Sequence, residues 1–320
     1  MDYTDTGICL NAPAKINLFL HVVGKRPDGY HNLITWMQKI DLCDVITLEL
    51  SSGNGIILNS NSSEIPLDRS NLAVRAAEVF FSASSNVAGC ALTMNLEKKI
   101  PMGAGLGGGS SDAGTVLKGL NILFENEFSE TELIVMARSL GADVPFFVVD
   151  HAAVIAEGIG DVMKPVESLE NVTFILVNPN IFVSTAWVFQ NLTLTRAKKN
   201  SKLSCFQKCD AVSLSLDLMH NDLEQVTSKR HSEIDQIKKT LLTVGASRVL
   251  MSGSGSTVFG VFPNTGKLIG VEMTRIVEKI QQQYGEKVFL CSAITGAWPS
   301  GKAPGFDPGI RRFEPCRPSQ

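Results

Sequence analysis

The chain has 320 residues, 44% hydrophobic and 19% charged, with a formal net charge of -3. At about 150 residues per domain that length suggests about two domains, and the balance is that of a folded protein rather than a disordered one. A weakly acidic chain has no basic field to attract nucleic acid or anionic lipid, and no run of eighteen apolar residues marks a membrane span, so small-molecule chemistry is the default.

The opening MDYTDTG lacks the apolar core of a leader. Residues 8–60 alternate strand-like runs and turns: CLNAPAKINLFLHVVG, the turn KRPDGY, LITWMQKIDLCDVITLEL, then GIILN after Gly53. This pattern predicts an antiparallel sheet. In the first strand Ala14, Ile16, Leu18, Leu20 and Val22 share one face, while Pro13, Lys15, Asn17, Phe19 and His21 share the other. Lys15 and Asn17 therefore point together among apolar neighbours, where a lysine charge would act strongly. From spacing alone, a solvated strand face is as good a reading. The turn presents Tyr30 and His31, and an aromatic there could stack on a planar ligand, although a hairpin with a surface tyrosine explains it equally.

A helix is predicted over 71–82 and a strand near 91–96, leading into PMGAGLGGGSSDAG at 101–114, with six glycines and two serines in fourteen residues. Glycine permits positive φ and close backbone approach to an anion, and a following helix offers unpaired N–H groups and a positive dipole end. Gly103, Gly105 and Gly108 match a dinucleotide-binding G-x-G-x-x-G, but no acidic residue closes a second strand at the right distance. A P-loop is excluded because Gly108 is followed by Gly109 and Ser110 rather than Lys and Ser or Thr. The loop reads as a triphosphate cradle whose lysine must come from elsewhere.

Helices follow at 110–125 and 129–140, the second capped by Ser129 with Glu132 three residues on. Next come GADVPFFV, which places Asp143 between a helix end and an apolar run, and a β-rich stretch over 144–158. The commoner fate of such an aspartate is a cap or turn. After PVESLEN, a second half opens with VTFILVNP at 172–179, then helices at 184–191, 209–218 and 231–243. RVLMSGSGSTVFGVF reads as two strands around a small-residue turn and a weak second anion nest, before a helix at 267–283 and the strand KVFLCSA. The tail 298–320 is rich in Pro, Gly and Arg and is expected to be disordered. Seven scattered cysteines without a C-x-x-C pair imply a reducing compartment, and Cys205 and Cys209, with no histidine at zinc spacing, read as ordinary thiols.

Taken in order, PAKINLFLHVVGKRPDGYHNL, PMGAGLGGGSSDAG, LGADVPFFV, HAAVIAEGIG and SGSGSTVFGVF resemble the GHMP kinase superfamily, over about residues 8–295. PAKINL with DGYH points to the branch that phosphorylates 4-diphosphocytidyl-2-C-methyl-D-erythritol in non-mevalonate isoprenoid synthesis. The resemblance implies an α+β, two-domain fold: an N-terminal ATP-binding domain (1–165, like the second domain of ribosomal protein S5) and a C-terminal ferredoxin-like sandwich (170–297). It implies a monomer or homodimer that uses ATP and Mg²⁺, and the cysteine usage, the acidic opening and the lack of a long apolar run read as cytoplasmic. By the same resemblance Asp143 is the general base and Lys15 its electrostatic partner. Pro101, Met102, Gly103, Ala104, Gly105, Leu106, Gly107, Gly108, Gly109, Ser110 and Ser111 bind ATP, with a hydroxyl of Ser110 or Ser111 toward the metal, whose full ligand set stays unassigned. Tyr30 and Phe189 would sandwich the cytosine, His31 would read its edge, and Asn17 and Thr185 would line the substrate channel.

Overall fold

The computed structural model describes residues 6–193, 216–264 and 271–296. Strands β1 (Thr6–Lys25) and β2 (His31–Ser52) form one long antiparallel hairpin, and β2 changes neighbour along its length. Its first part pairs with β5 (Ala153–Glu157) and its last with β4 (Cys90–Glu97), both antiparallel. The irregularity between Pro13 and Ala14, opposite Cys43 and Ile40, falls where β2 makes this change. The expectation of an antiparallel sheet over 8–60 holds for the hairpin but fails for β3 (Gly55–Ser60), which runs parallel to β4 because α1 (Leu72–Ala83) carries the chain back across.

The first sheet has the order β3-β4-β2-β1-β8, with β6 (Val162–Pro165) on β5 and β8 (His220–Asn221) parallel to β1. Helices α1, α2 (Gly108–Leu123) and α3 (Glu130–Leu140) cover one face, burying Phe80, Val116, Leu120, Leu133 and Met136 against Ile46, Leu48, Met94 and Leu96. Ser129 and Glu132 form the expected capping box of α3. A Cβ on Gly119 would lie 2.5 Å from Leu48, so the bare backbone there lets α2 sit directly on the sheet.

The second sheet, β11-β7-β10-β9, is fully antiparallel and comprises β7 (Val172–Val177), β9 (Arg248–Met251), β10 (Val258–Pro263) and β11 (Val288–Ser292). Alternation along β7 splits its side chains between two cores. Ile175 and Val177 meet Ile234, Ile237 and Leu241 of α7 (Glu233–Thr243) and Met273 and Ile280 of α8 (Val271–Tyr284). Val172, Phe174 and Leu176 instead join Ala14, Ile16, Leu18, Phe19 and Trp36, so the two sheets share a core.

Three readings are corrected. The run 144–148 is a short helix, α4 (Val144–Val148), with proline in its first turn and apolar contacts to α2 and α3, and the strand begins only at Ala153. Strand β1 does not keep clean alternation: a register shift between Asn17 and Phe19 turns Phe19 into the core holding Ala14 and Ile16, while Leu20 and Val22 join another cluster. Helix α6 (Glu224–Arg230) and strands β6 and β8 were not expected, being short and lacking strong periodicity. Most of the helix expected at 209–218, the start of that at 267–283, Cys205, Cys209 and the tail lie outside the described residues.

Candidate active site

The glycine-rich loop is built so that its carbonyls face inward. Leu106 O accepts from Lys15 N at 2.9 Å, Ala104 O from Thr257 N at 3.2 Å, and Gly105 O from Ser252 Oγ at 2.9 Å. Gly103, Gly105 and Gly107 take φ of 59°, 76° and 72°, values an L side chain rarely adopts. At Gly105 space forbids a side chain as well, since a Cβ would lie 2.1 Å from the Ser252 carbonyl oxygen. Gly107 is the N-cap of α2 and has no side chain to cap it, and the first turn carries no acidic residue. Its first N–H groups and dipole end are thus left for an external anion.

Lys98 clamps the entrance of this loop. Its Nζ pairs with Asp44 and, at 2.7 Å, with Asp112 Oδ2, while Asp44 Oδ1 also accepts from Lys99 N at 2.6 Å and Ile100 N at 2.8 Å. Asp112 has no such amide donors, and its Oδ1 is without a hydrogen-bond partner. Burial, with the Asp44 carboxylate adding to it, overcomes Lys98 and pushes Asp112 up to about 7.

Lys15 is 4% exposed, and its stem lies against Gly107. Its Nζ donates to Asn17 Oδ1 at 2.6 Å, and Asn17 Nδ2 donates to Thr35 Oγ1 at 2.8 Å. Asp143 Oδ2 stands 3.5 Å from the same Nζ, with its side chain 40% exposed. Although Asp143 occupies the N-cap of α4, its side chain makes no capping bond. The carboxylate is left for the ammonium and the open space beside it.

That space is a cavity of about 570 Å³. Lys15, Asn17, Pro101, Met102, Gly103, Ala104, Gly105, Gly107, Gly108, Gly109, Ser110, Asp143, Thr185 and Phe189 all line it. Leu106 and Ser111 are buried in the interior, so of the adjacent pair Ser110 and Ser111 it is Ser110 that lines the cavity. Thr185 opens α5 (Thr185–Gln190), and its Oγ1 lies 2.8 Å from Ser254 Oγ. His31 stacks on Phe189 with ring centroids 5.1 Å apart and planes at 24°, while Tyr30 beside it is 62% exposed. Burial, then the charge of Lys25, holds the His31 imidazole below its ordinary value, favouring a neutral ring with one donor and one acceptor.

Sequence reasoning missed Lys98 with Asp44 and Asp112, and Thr35 behind Asn17, whose roles depend on partners distant in the chain. Ser252 and Ser254 had a visible signal in MSGSGST: that turn packs on the glycine loop, and Asn17 N donates to Ser252 Oγ at 3.3 Å.

Residues 71–151 match the model of the GHMP kinases N terminal domain and residues 203–289 that of the GHMP kinases C terminal. A 4-diphosphocytidyl-2-C-methyl-D-erythritol kinase of Desulfotalea psychrophila is 50% identical over 291 residues, covering 90% of this chain and 96% of the relative. The enzyme of that name from Syntrophotalea carbinolica is 50% identical over 283 residues, covering 88% and 98%. A crystal structure of 4-(cytidine 5'-diphospho)-2C-methyl-D-erythritol kinase superposes with a TM-score of 0.72 at 31% identity, covering 90% of this chain and 100% of the other. Homoserine kinase from Cytophaga hutchinsonii reaches 0.67 at 17% identity, a likeness of fold alone.

Proposed function

Since the chain belongs to the GHMP kinases, in their 4-diphosphocytidyl-2-C-methyl-D-erythritol kinase branch, we propose that its cavity transfers the γ-phosphoryl group of ATP to the 2-hydroxyl of that cytidine-bearing polyol in isoprenoid precursor synthesis. The observation that carries this reading is the Lys15–Asp143 pair, 3.5 Å apart, in one cavity with the uncapped start of α2.

The acceptor is a tertiary alcohol, a very weak acid. Asp143 takes its proton as the hydroxyl oxygen bonds to the γ-phosphorus and the β–γ bridging P–O bond breaks, releasing ADP. Lys15, fixed through Asn17 and Thr35, stands beside the Asp143 carboxylate and faces the charge on the transferring group. The triphosphate lies along Gly103, Ala104, Gly105, Gly107, Gly108, Gly109 and Ser110, held by main-chain N–H groups. His31 and Phe189, with Tyr30 from the exposed turn, receive the cytosine ring, and Thr185 and Asn17 the polyol between base and phosphate.

The wall offers oxygen donors suited to a hard ion, the Ser110 hydroxyl and the carboxylates of Asp112 and Asp143, and these residues would hold Mg²⁺ with the phosphates. Bound there, Mg²⁺ supplies neutralisation of phosphate charge. We divide the chain at 165–170 into an ATP-binding and a C-terminal domain, the short β8 crossing back to the first sheet. Cys43, Cys90 and Cys291 form no disulfide among the described residues, which supports a reducing, cytoplasmic setting, and the proposed assembly is a monomer or homodimer. Among the described residues no helix is long and apolar enough to cross a membrane.

The test offers purified protein ATP, Mg²⁺ and one acceptor at a time: the cytidine polyol, homoserine or mevalonate. Phosphate should appear on the first alone; transfer to either of the others, or to none, refutes the assignment.

A further inference from the structure

We infer that His21, His220 and Asp222 form a second site, apart from the phosphate-binding wall, that takes one borderline divalent transition metal, Zn²⁺ foremost, and pins β8 to β1. One donor atom from each residue lies within 4.8 Å of the others. His220 Nε2 is 2.7 Å from Asp222 Oδ1 and His21 Nδ1 is 2.8 Å from Asp222 Oδ2. Despite that approach, the buried His21 Nδ1 has no hydrogen-bond partner. A buried ring nitrogen within ion-pair reach of a carboxylate, yet without a hydrogen-bond partner, is the second observation pointing to a ligand.

The three donors are held in advance by their surroundings. Both imidazoles rest near the buried Phe19 ring, with centroids 6.3 Å away for His21 and 6.1 Å for His220. Asp222 Oδ2 accepts from Val22 N at 2.7 Å, and Asp222 N donates to Leu20 O at 3.0 Å. Asn221 Nδ2 fastens the segment to Met251 O at 2.8 Å and Gly253 O at 2.7 Å.

Two imidazoles and one carboxylate suit Zn²⁺ and its neighbours rather than Mg²⁺, which prefers an all-oxygen shell. With metal–ligand bonds of about 2.0–2.2 Å, tetrahedral donors stand roughly 3.4 Å apart, so the present 2.7 and 2.8 Å contacts would open by roughly 0.6 to 0.7 Å. The His220 side chain is 41% exposed, leaving an entry path and room for water as a fourth ligand. Leu20 and Leu223, each next in sequence to a proposed ligand, line the catalytic cavity. A metal here would therefore brace that wall without touching the reacting atoms.

The experiment uses full-length, tag-free protein treated with chelator and titrated with Co²⁺ followed by Zn²⁺. Expected are one equivalent of Co²⁺ with the visible bands of a tetrahedral ion, no sulfur-to-cobalt charge-transfer band, bleaching by Zn²⁺, and a thermal midpoint raised by several degrees with Zn²⁺. His220→Gln, on the more exposed ligand, should lose the spectrum and the thermal shift while folding normally. His21→Gln is the second variant, and circular dichroism checks both folds. Absence of binding at micromolar Co²⁺, a thiolate band, or binding retained in folded His220→Gln overturns the site and leaves a hydrogen-bonded clasp.

Discussion

The Ser252 hydroxyl donates to the Gly105 carbonyl at 2.9 Å across 147 positions of sequence, tying the small-residue turn of the second sheet to the glycine loop. This bond turns the Gly105 carbonyl away from the cavity. Ser252→Ala should cost about 1 kcal/mol of stability and raise the KM for ATP several-fold with a smaller change in kcat. Gly105→Ala should cost more, at least about 2 kcal/mol, from backbone strain and the collision with Ser252 O. Urea midpoints and steady-state kinetics check both, and an unchanged ATP KM in folded Ser252→Ala contradicts the role given to the bond.

Asp143→Asn keeps shape but removes the proposed base, and kcat should fall by roughly 10² to 10⁴ with little change in stability, because the carboxylate caps no helix. Lys15→Ala should lose comparable activity. Turnover within a few-fold of wild type in either folded variant, measured by ADP release, argues against the assigned roles.

Asp112 supplies a pH signature. Its folded-state value lies at about 7 against an ordinary 3.8, so the folded protein binds this proton more tightly than the unfolded chain does. Its contribution to stability is present below about pH 4 and is lost as pH rises toward 7. In Asp112→Asn that slope should vanish. Denaturant midpoints of wild type and variant between pH 4 and 8 read it, and parallel curves count against a proton on Asp112.

Lys39 has the opposite sign. It is 1% exposed, its Nζ donates to Val149 O at 2.8 Å, and burial, aided by Lys118, lowers its value from 10.5 to about 7. The unfolded chain binds more protons between those values, so the Lys39 contribution to wild-type stability gains as pH rises from about 7 to 10.5 and stays at its lowest, level, below about 7. Lys39→Met should flatten this rise and gain most on wild type near pH 6, offset by about 1–3 kcal/mol for the unpaired Val149 carbonyl. Chemical denaturation at pH 6 and 9 provides the comparison.

Local chemistry was legible wherever neighbours in sequence are neighbours in space. The capping box of α3, the alternation of β7 and the glycine loop running into α2 each depend on residues a few positions apart, and so did the pairing of Lys15 with Asn17 on one face. The bulge after Asn17 was not legible, because register is settled by the partner strand and by the second sheet packed behind it. VPFFV read as strand for a similar reason: a short apolar run has no periodicity of its own, and its contacts with α2 and α3 decide.

The sequence by itself determined most of the longer elements, the glycine-rich loop running into α2 and the residue types proposed for acid, base and base-stacking roles, since these follow from spacing along the backbone. Only the tertiary structure decided that Asp143 faces Lys15 rather than capping a helix, that Lys98 stands between Asp44 and Asp112, and that His21 meets His220 and Asp222. Those relations join segments far apart in the chain, and their distances and burial are set by how the two sheets share one core.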